Sequence, residues 1–157
     1  DLVRSRGLGD VYKRQGENTG LNTWYSTLMI RFDAIFLVDD DPINNLINKR
    51  LLTKTGISDH IKEFLGGEDA FDRIKELGQN ETLLILLDIN MPVMNGWEFL
   101  NRYLELFPDR QDKIVILSSS IDFQDRQRAN GYSIVSKFLE KPLTIEKIEG
   151  LIQNLGI

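Results

Sequence analysis

The sequence contains no cysteine and a single histidine, His60. Without thiols there is neither a disulfide framework nor a thiolate metal site. One histidine without a cluster of partners makes no metal or phosphorelay centre, and His60 reads as a solvated loop residue. Long apolar runs are missing too. The longest hold about five residues, far below the roughly 18 that a membrane span requires. No charged start followed by an apolar stretch marks a secretory leader, so the expected compartment is the cytoplasm. A basic excess is also lacking: 19 Lys and Arg stand against 24 Asp and Glu, a formal charge of −5. That balance argues against a large nucleic-acid footprint, which needs surplus cations to meet phosphates.

What the chain has is core-forming material, with 41% hydrophobic residues in 157. This is enough for one domain. Residues 1–30 differ from the rest, being rich in Gly, Arg, Ser and Asn without apolar periodicity, and are expected to be disordered. Within them, Ser5 to Gln15 resembles a translated vector or sequencing scar, with a native basic arm as the alternative. Trp24 and Tyr25 are expected to be tail aromatics. The folded unit is expected over 33–157.

From Asp33 the chain alternates short apolar runs with amphipathic stretches. Strands are expected at 34–38, 61–65, 83–87, 114–117 and 134–139. Helices are expected at 42–54, 68–77, 96–107, 122–130 and 144–155. The first helix carries Ile43, Leu46, Ile47, Leu51 and Leu52 at helical spacing, and the last carries Ile145, Ile148, Leu151, Ile152 and Leu155. Five βα units with strands apolar at nearly every position predict an α/β fold, a parallel sheet covered by helices on both faces.

In such a sheet, ligands sit beyond the carboxyl ends of the strands. The first strand ends in Asp39-Asp40-Asp41, the second in Gly66-Gly67, the third in Asp88, the fourth in Ser118-Ser119-Ser120 and the fifth in Glu140-Lys141-Pro142. Crowded carboxylates cannot all stay ionised unaided. A hard cation such as Mg²⁺, with Lys141 and a phosphoryl anion, would balance the charge. Asp41 before Pro42 reads as a helix N-cap. Trp97 reads as packing the third helix, Met91 and Met94 as loop or packing residues, and Asn95-Gly96 as a tight turn into the third helix.

The motifs Leu37-Val38-Asp39-Asp40-Asp41-Pro42, Leu87-Asp88 through Asn95-Gly96, Ile116-Leu117-Ser118-Ser119-Ser120 and Leu139-Glu140-Lys141-Pro142-Leu143 occur in order. Together they resemble the receiver domain of two-component response regulators. The resemblance implies a flavodoxin-like (βα)5 fold with strand order 2-1-3-4-5, similar to single-domain chemotaxis regulators. It implies Asp88 as phosphoacceptor, with Asp39, Asp40, Asp88 and the main-chain carbonyl of Asn90 holding Mg²⁺. Lys141 and Ser118 would contact the phosphoryl group, and Ser118 with Phe138 would form the switch. The Lys141–Pro142 bond is often cis in that family.

The implied partners are a sensor histidine kinase or phosphotransfer protein and an output partner not identifiable from sequence. Neither direct nucleic-acid nor membrane contact is expected, and the state would be monomeric or a phosphorylation-linked dimer. The domain would be a signalling phosphoacceptor, promoting its own phosphorylation and dephosphorylation. Two alternatives remain open from the residues. One is a haloacid-dehalogenase-type phosphatase with Asp39 as nucleophile and Asp41 as acid/base; Ile43 and the lack of a cap insertion count against it. The other is a receiver-like scaffold that binds without phosphorylation.

Overall fold

The computed structural model describes residues 32–120 and 122–155. The expectations for residues 1–30, Trp24 and Tyr25 included, lie outside the described residues. Elements follow in strict alternation: β1 Ala34–Val38, α1 Pro42–Thr55, β2 Ile61–Phe64, α2 Gly67–Lys75, β3 Leu83–Leu87, α3 Gly96–Leu106, β4 Lys113–Ser118, α4 Phe123–Asn130, β5 Val135–Glu140 and α5 Ile145–Asn154. All four strand pairings are parallel and the sheet order is β2-β1-β3-β4-β5. The expected α/β architecture and strand order are therefore both present.

Side chains alternate across a strand, so residues that are apolar at successive positions feed two cores. Phe36, Val38, Leu83, Ile85, Leu87, Ile114 and Ile116 face one helical layer. They pack with Phe71 and Ile74 of α2 and with Phe99, Leu100 and Tyr103 of α3. Ile35, Leu37, Leu84, Leu86, Val115 and Leu117 face the other layer, with Leu52 of α1 and Ile148, Leu151 and Ile152 of α5. Phe71 and Phe99 stack with centroids 4.5 Å apart, joining α2 to α3.

The inner face of α1 departs from the apolar spacing. Its buried residues are Asn45, Asn48, Leu52 and Thr55, while Ile43, Leu46 and Ile47 are 68%, 44% and 50% exposed. The helix phase is set at its start. Asp41 accepts the N–H groups of Ile43 and Asn44, Pro42 occupies the first turn, and the Asn45 amide is bonded to strand-end carbonyls below. Helix α4 is the most polar, burying only Ala129. Two arginine–aromatic contacts link it to its surroundings: Arg128 lies 4.6 Å from the Trp97 ring and Arg126 lies 5.6 Å from the Phe138 ring. Among the described residues, no helix is long and apolar enough to cross a membrane.

The end of the sheet where the strands begin is closed by a buried ion pair. Arg110 donates through Nε to Asp112 at 2.8 Å, while Nη1 and Nη2 reach the main-chain oxygens of Gly78 (3.1 Å) and Glu81 (3.0 Å). The Tyr103 hydroxyl donates to the same carboxylate. Burial, with the Asp112 carboxylate alongside, pushes the Tyr103 hydroxyl far above its usual range. The bond to Asp112 holds the Arg110 guanidinium above its usual value. Removing one member strands the others in a dry site. Asp112→Ala is expected to lower stability by roughly 3 kcal/mol in urea denaturation. A loss within experimental error would show that the pair is not a structural lock.

Candidate functional site

The opposite end of the sheet collects the acidic residues. Strand β1 is central and buried, so its continuation places Asp39 in the interior at 5% exposure, whereas Asp40 is exposed. Strand β3 pairs beside β1 with Val38 opposite Leu87, which brings Asp88, 6% exposed, level with Asp39. One carboxylate oxygen from each of Asp39, Asp40 and Asp88 falls within 4.8 Å of the others. From β5, Lys141 reaches in. Its Nζ donates to Asp39 Oδ2 at 2.8 Å and lies 3.5 Å from Asp88 Oδ2.

The neighbouring polar groups fix these carboxylates. Asp39 Oδ1 accepts the Asp41 N–H at 2.9 Å, and Oδ2 also accepts the Asn44 amide at 3.3 Å. Asp88 Oδ1 accepts the Asn90 N–H at 3.2 Å. Burial pushes the Asp88 carboxyl above the ordinary carboxylate range; Asp39's charge adds to this, and Lys141 opposes it. For Lys141, burial works against the charge. The bond to Asp39 and the nearby Asp88 carboxylate outweigh it and hold the ammonium above its usual value. A pocket of three carboxylates with oxygen donors only and one exposed member suits a small hard divalent cation rather than a soft one.

Ser118 is fully buried at the end of β4. Its Oγ accepts the Ser120 N–H at 3.1 Å, and its carbonyl accepts the Lys141 N–H at 2.8 Å. Ser120 in turn donates to Asp125 of α4 at 3.0 Å. Phe138 sits opposite Ile116 and is half-buried against the core containing it. The Lys141–Pro142 peptide is cis, as the resemblance implied. Trp97, Met91 and Met94 are buried in the core, and His60 is exposed before β2, both as expected. Gly67 is buried, and an added Cβ there would meet Met94 Sδ at 2.5 Å.

Several supporting residues were not singled out in the sequence. Lys147 of α5 donates to the carbonyls of Glu140 (2.5 Å) and Pro142 (2.8 Å), bracketing Lys141. Val93 has φ 68°, and the Met94 N–H reaches Pro92 O at 2.7 Å, closing a three-residue turn of the strained, left-handed kind. The tight turn expected at Asn95-Gly96 is thus centred on Val93. Asn95 instead caps α3 in a reciprocal capping box with Glu98. Gly96 is required by proximity: a Cβ would lie 2.7 Å from Ile89 Cα and 2.8 Å from the Asp88 carbonyl oxygen. Asp41 Oδ1 is engaged as the α1 cap, the structural role expected for this residue.

The raised Asp88 carboxyl makes stability depend on pH. The native state holds this proton more tightly than the unfolded chain does. Stability therefore falls as pH climbs from the ordinary carboxylate range through the raised value, and above it the ionised group is a constant burden. In chelator at neutral pH, Asp88→Asn is expected to melt above the wild type. Its advantage should shrink as pH is lowered through that window. A variant melting at or below wild type at neutral pH would contradict this.

The sequence model of the response regulator receiver domain matches residues 35–153. Over 120 residues the chain is 29% identical to the two-component response regulator 24 of Arabidopsis thaliana, covering 76% of this chain and 81% of that protein. Over 122 residues it is 32% identical to the two-component response regulator ARR22 of the same plant, covering 77% and 82%. A crystal structure of a two-component response regulator from Cytophaga hutchinsonii matches with TM-score 0.72 at 29% identity, covering 80% of this chain and 97% of that one. With an acidic pocket at the carboxyl edge of a 2-1-3-4-5 sheet, the chain belongs to the response regulator receiver domain family, signalling domains rather than conventional enzymes.

Proposed function

We propose that this protein accepts a phosphoryl group on Asp88 in a Mg²⁺-dependent reaction and uses it to change a partner-binding surface. The observation that carries the reading is the convergence of Asp39, Asp40 and Asp88 within 4.8 Å, with the Lys141 ammonium beside two of them. Asp39, Asp40, Asp88 and the Asn90 carbonyl would hold the metal. Bound there, magnesium would neutralise the phosphoryl oxygens and favour in-line approach. Asp88 must be ionised to act as nucleophile. Its oxygen forms the new P–O bond as the donor's P–N bond breaks, the electron pair leaving with the imidazole nitrogen. Lys141 turns from its carboxylates towards the new anion, and the Ser118 hydroxyl donates to a phosphoryl oxygen.

Drawing Ser118 inward alters its bond with Ser120, and through Ser120 the bond to Asp125 on α4. Space vacated near β4 lets Phe138 move inward, away from Arg126. The surface of α4, β5 and α5 is then biased towards a second packing that the phosphoryl group favours. The donor would be a sensor histidine kinase or phosphotransfer protein in the cytoplasm. The exposed stripe of Ile43, Leu46 and Ile47 follows directly from Asp41 at the rim of the pocket and would receive it.

The test is incubation with Mg²⁺ and acetyl phosphate, with mass-spectrometric mapping of any acyl phosphate. Label is expected on Asp88, lost in Asp88→Asn with unchanged circular dichroism. Label on Asp39 would favour the phosphatase reading, and no label with an active donor would favour the scaffold. Leu46→Glu should slow transfer from a phosphohistidine protein by roughly tenfold or more while leaving acetyl phosphate labelling unchanged.

A further inference from the structure

We infer that Asn45 is the positioning residue of the acidic pocket, holding the end of β1 at the spacing a divalent cation needs; this rests on the receiver reading above. Asn45 is 1% exposed on the inner face of α1, the face that also buries Leu52. Its Nδ2 donates to the main-chain oxygen of Asp39 at 3.0 Å and to that of Phe64 at 3.2 Å. These carbonyls lie at the carboxyl ends of adjacent strands, and Phe64 O also accepts the Asp39 N–H at 3.1 Å. One amide nitrogen thus staples β1 to β2 at the point where the chain turns into Asp39 and Asp40.

The arrangement works against stability. With both N–H groups spent on carbonyls, Asn45 Oδ1 is left buried without a hydrogen-bond partner among the described residues. A buried acceptor left unmade carries its full desolvation penalty. Leucine is close in size and would avoid it, with Leu52 of the same face already packed in an apolar core. A polar side chain kept at this expense, whose side-chain bonds run to the main chain of the acidic site, acts on that site as outer-shell groups act on metal ligands. The alternative is a purely structural staple, and two substitutions separate them. Asn45→Leu removes the unpaired oxygen but frees the Asp39 carbonyl, so its stability should stay near wild type. Asn45→Ala loses the same bonds and leaves a void, so its stability should fall.

The experiment measures melting temperature in chelator, Mg²⁺ affinity by calorimetry and the acetyl phosphate labelling rate for wild type and both variants. Both are expected to bind Mg²⁺ roughly tenfold more weakly and to label more slowly, although only the alanine variant melts clearly lower. Wild-type Mg²⁺ affinity in Asn45→Leu would overturn the inference. So would an affinity that drops only in the alanine variant, in step with its melting. A wild type that binds no Mg²⁺ and takes no label on Asp88 would sink the receiver reading itself. An active wild type with indifferent variants would sink only the role of Asn45.

Discussion

The contact of the Lys141 ammonium with Asp39 and Asp88 is the constraint on which the rest of the site depends. Two carboxylates are about 95% buried at the ends of adjacent strands. The Lys141 ammonium bridges them, and burial still holds the Asp88 carboxyl above the ordinary carboxylate range. Three carboxylates gathered around one ammonium leave the pocket with an excess of negative charge. Gaining a cation and an anion together would lower its energy, which is the logic of the proposed Mg²⁺-dependent phosphoacceptor.

The two edges of the sheet divide the work. At the edge where the strands begin, Arg110, Asp112 and Tyr103 satisfy one another and the loop carbonyls of Gly78 and Glu81. At the carboxyl edge, the polar groups are left in tension: an elevated carboxyl, an unpaired Asn45 oxygen and a strained Val93 backbone. Strain of this kind is expected where a site is shaped for a task rather than for stability. Under the proposed function, helix α4, with one buried residue and two arginine–aromatic contacts, would be the element best suited to shift when that tension is released.

Much of this was legible in the sequence because parallel strands announce themselves. Leu83–Leu87 is apolar at every position and is buried at every position. Parallel strands also deliver their following residues to one edge, so topology alone gathers Asp39, Asp88, Ser118 and Lys141 there. The inner face of α1 was not legible. Ile43, Leu46 and Ile47 have helical spacing, yet strand-end carbonyls demanded an amide donor and turned Asn45 inward. Gly96 looked like a turn residue, but its cause is the backbone of Asp88 and Ile89 lying against it, a contact between segments that local pattern cannot express. Lys147 resembled any surface lysine until α5 was placed beside the β5 turn.

The central claim is that excess carboxylate charge at this edge awaits a divalent cation. It is tested most directly by melting the unmodified protein in chelator and again in Mg²⁺ at millimolar concentration. The account predicts a rise in melting temperature with Mg²⁺, growing with its concentration as binding to the native state alone requires, and absent in Asp40→Asn. An unchanged melting temperature in the wild type, or the same rise in Asp40→Asn, would contradict it.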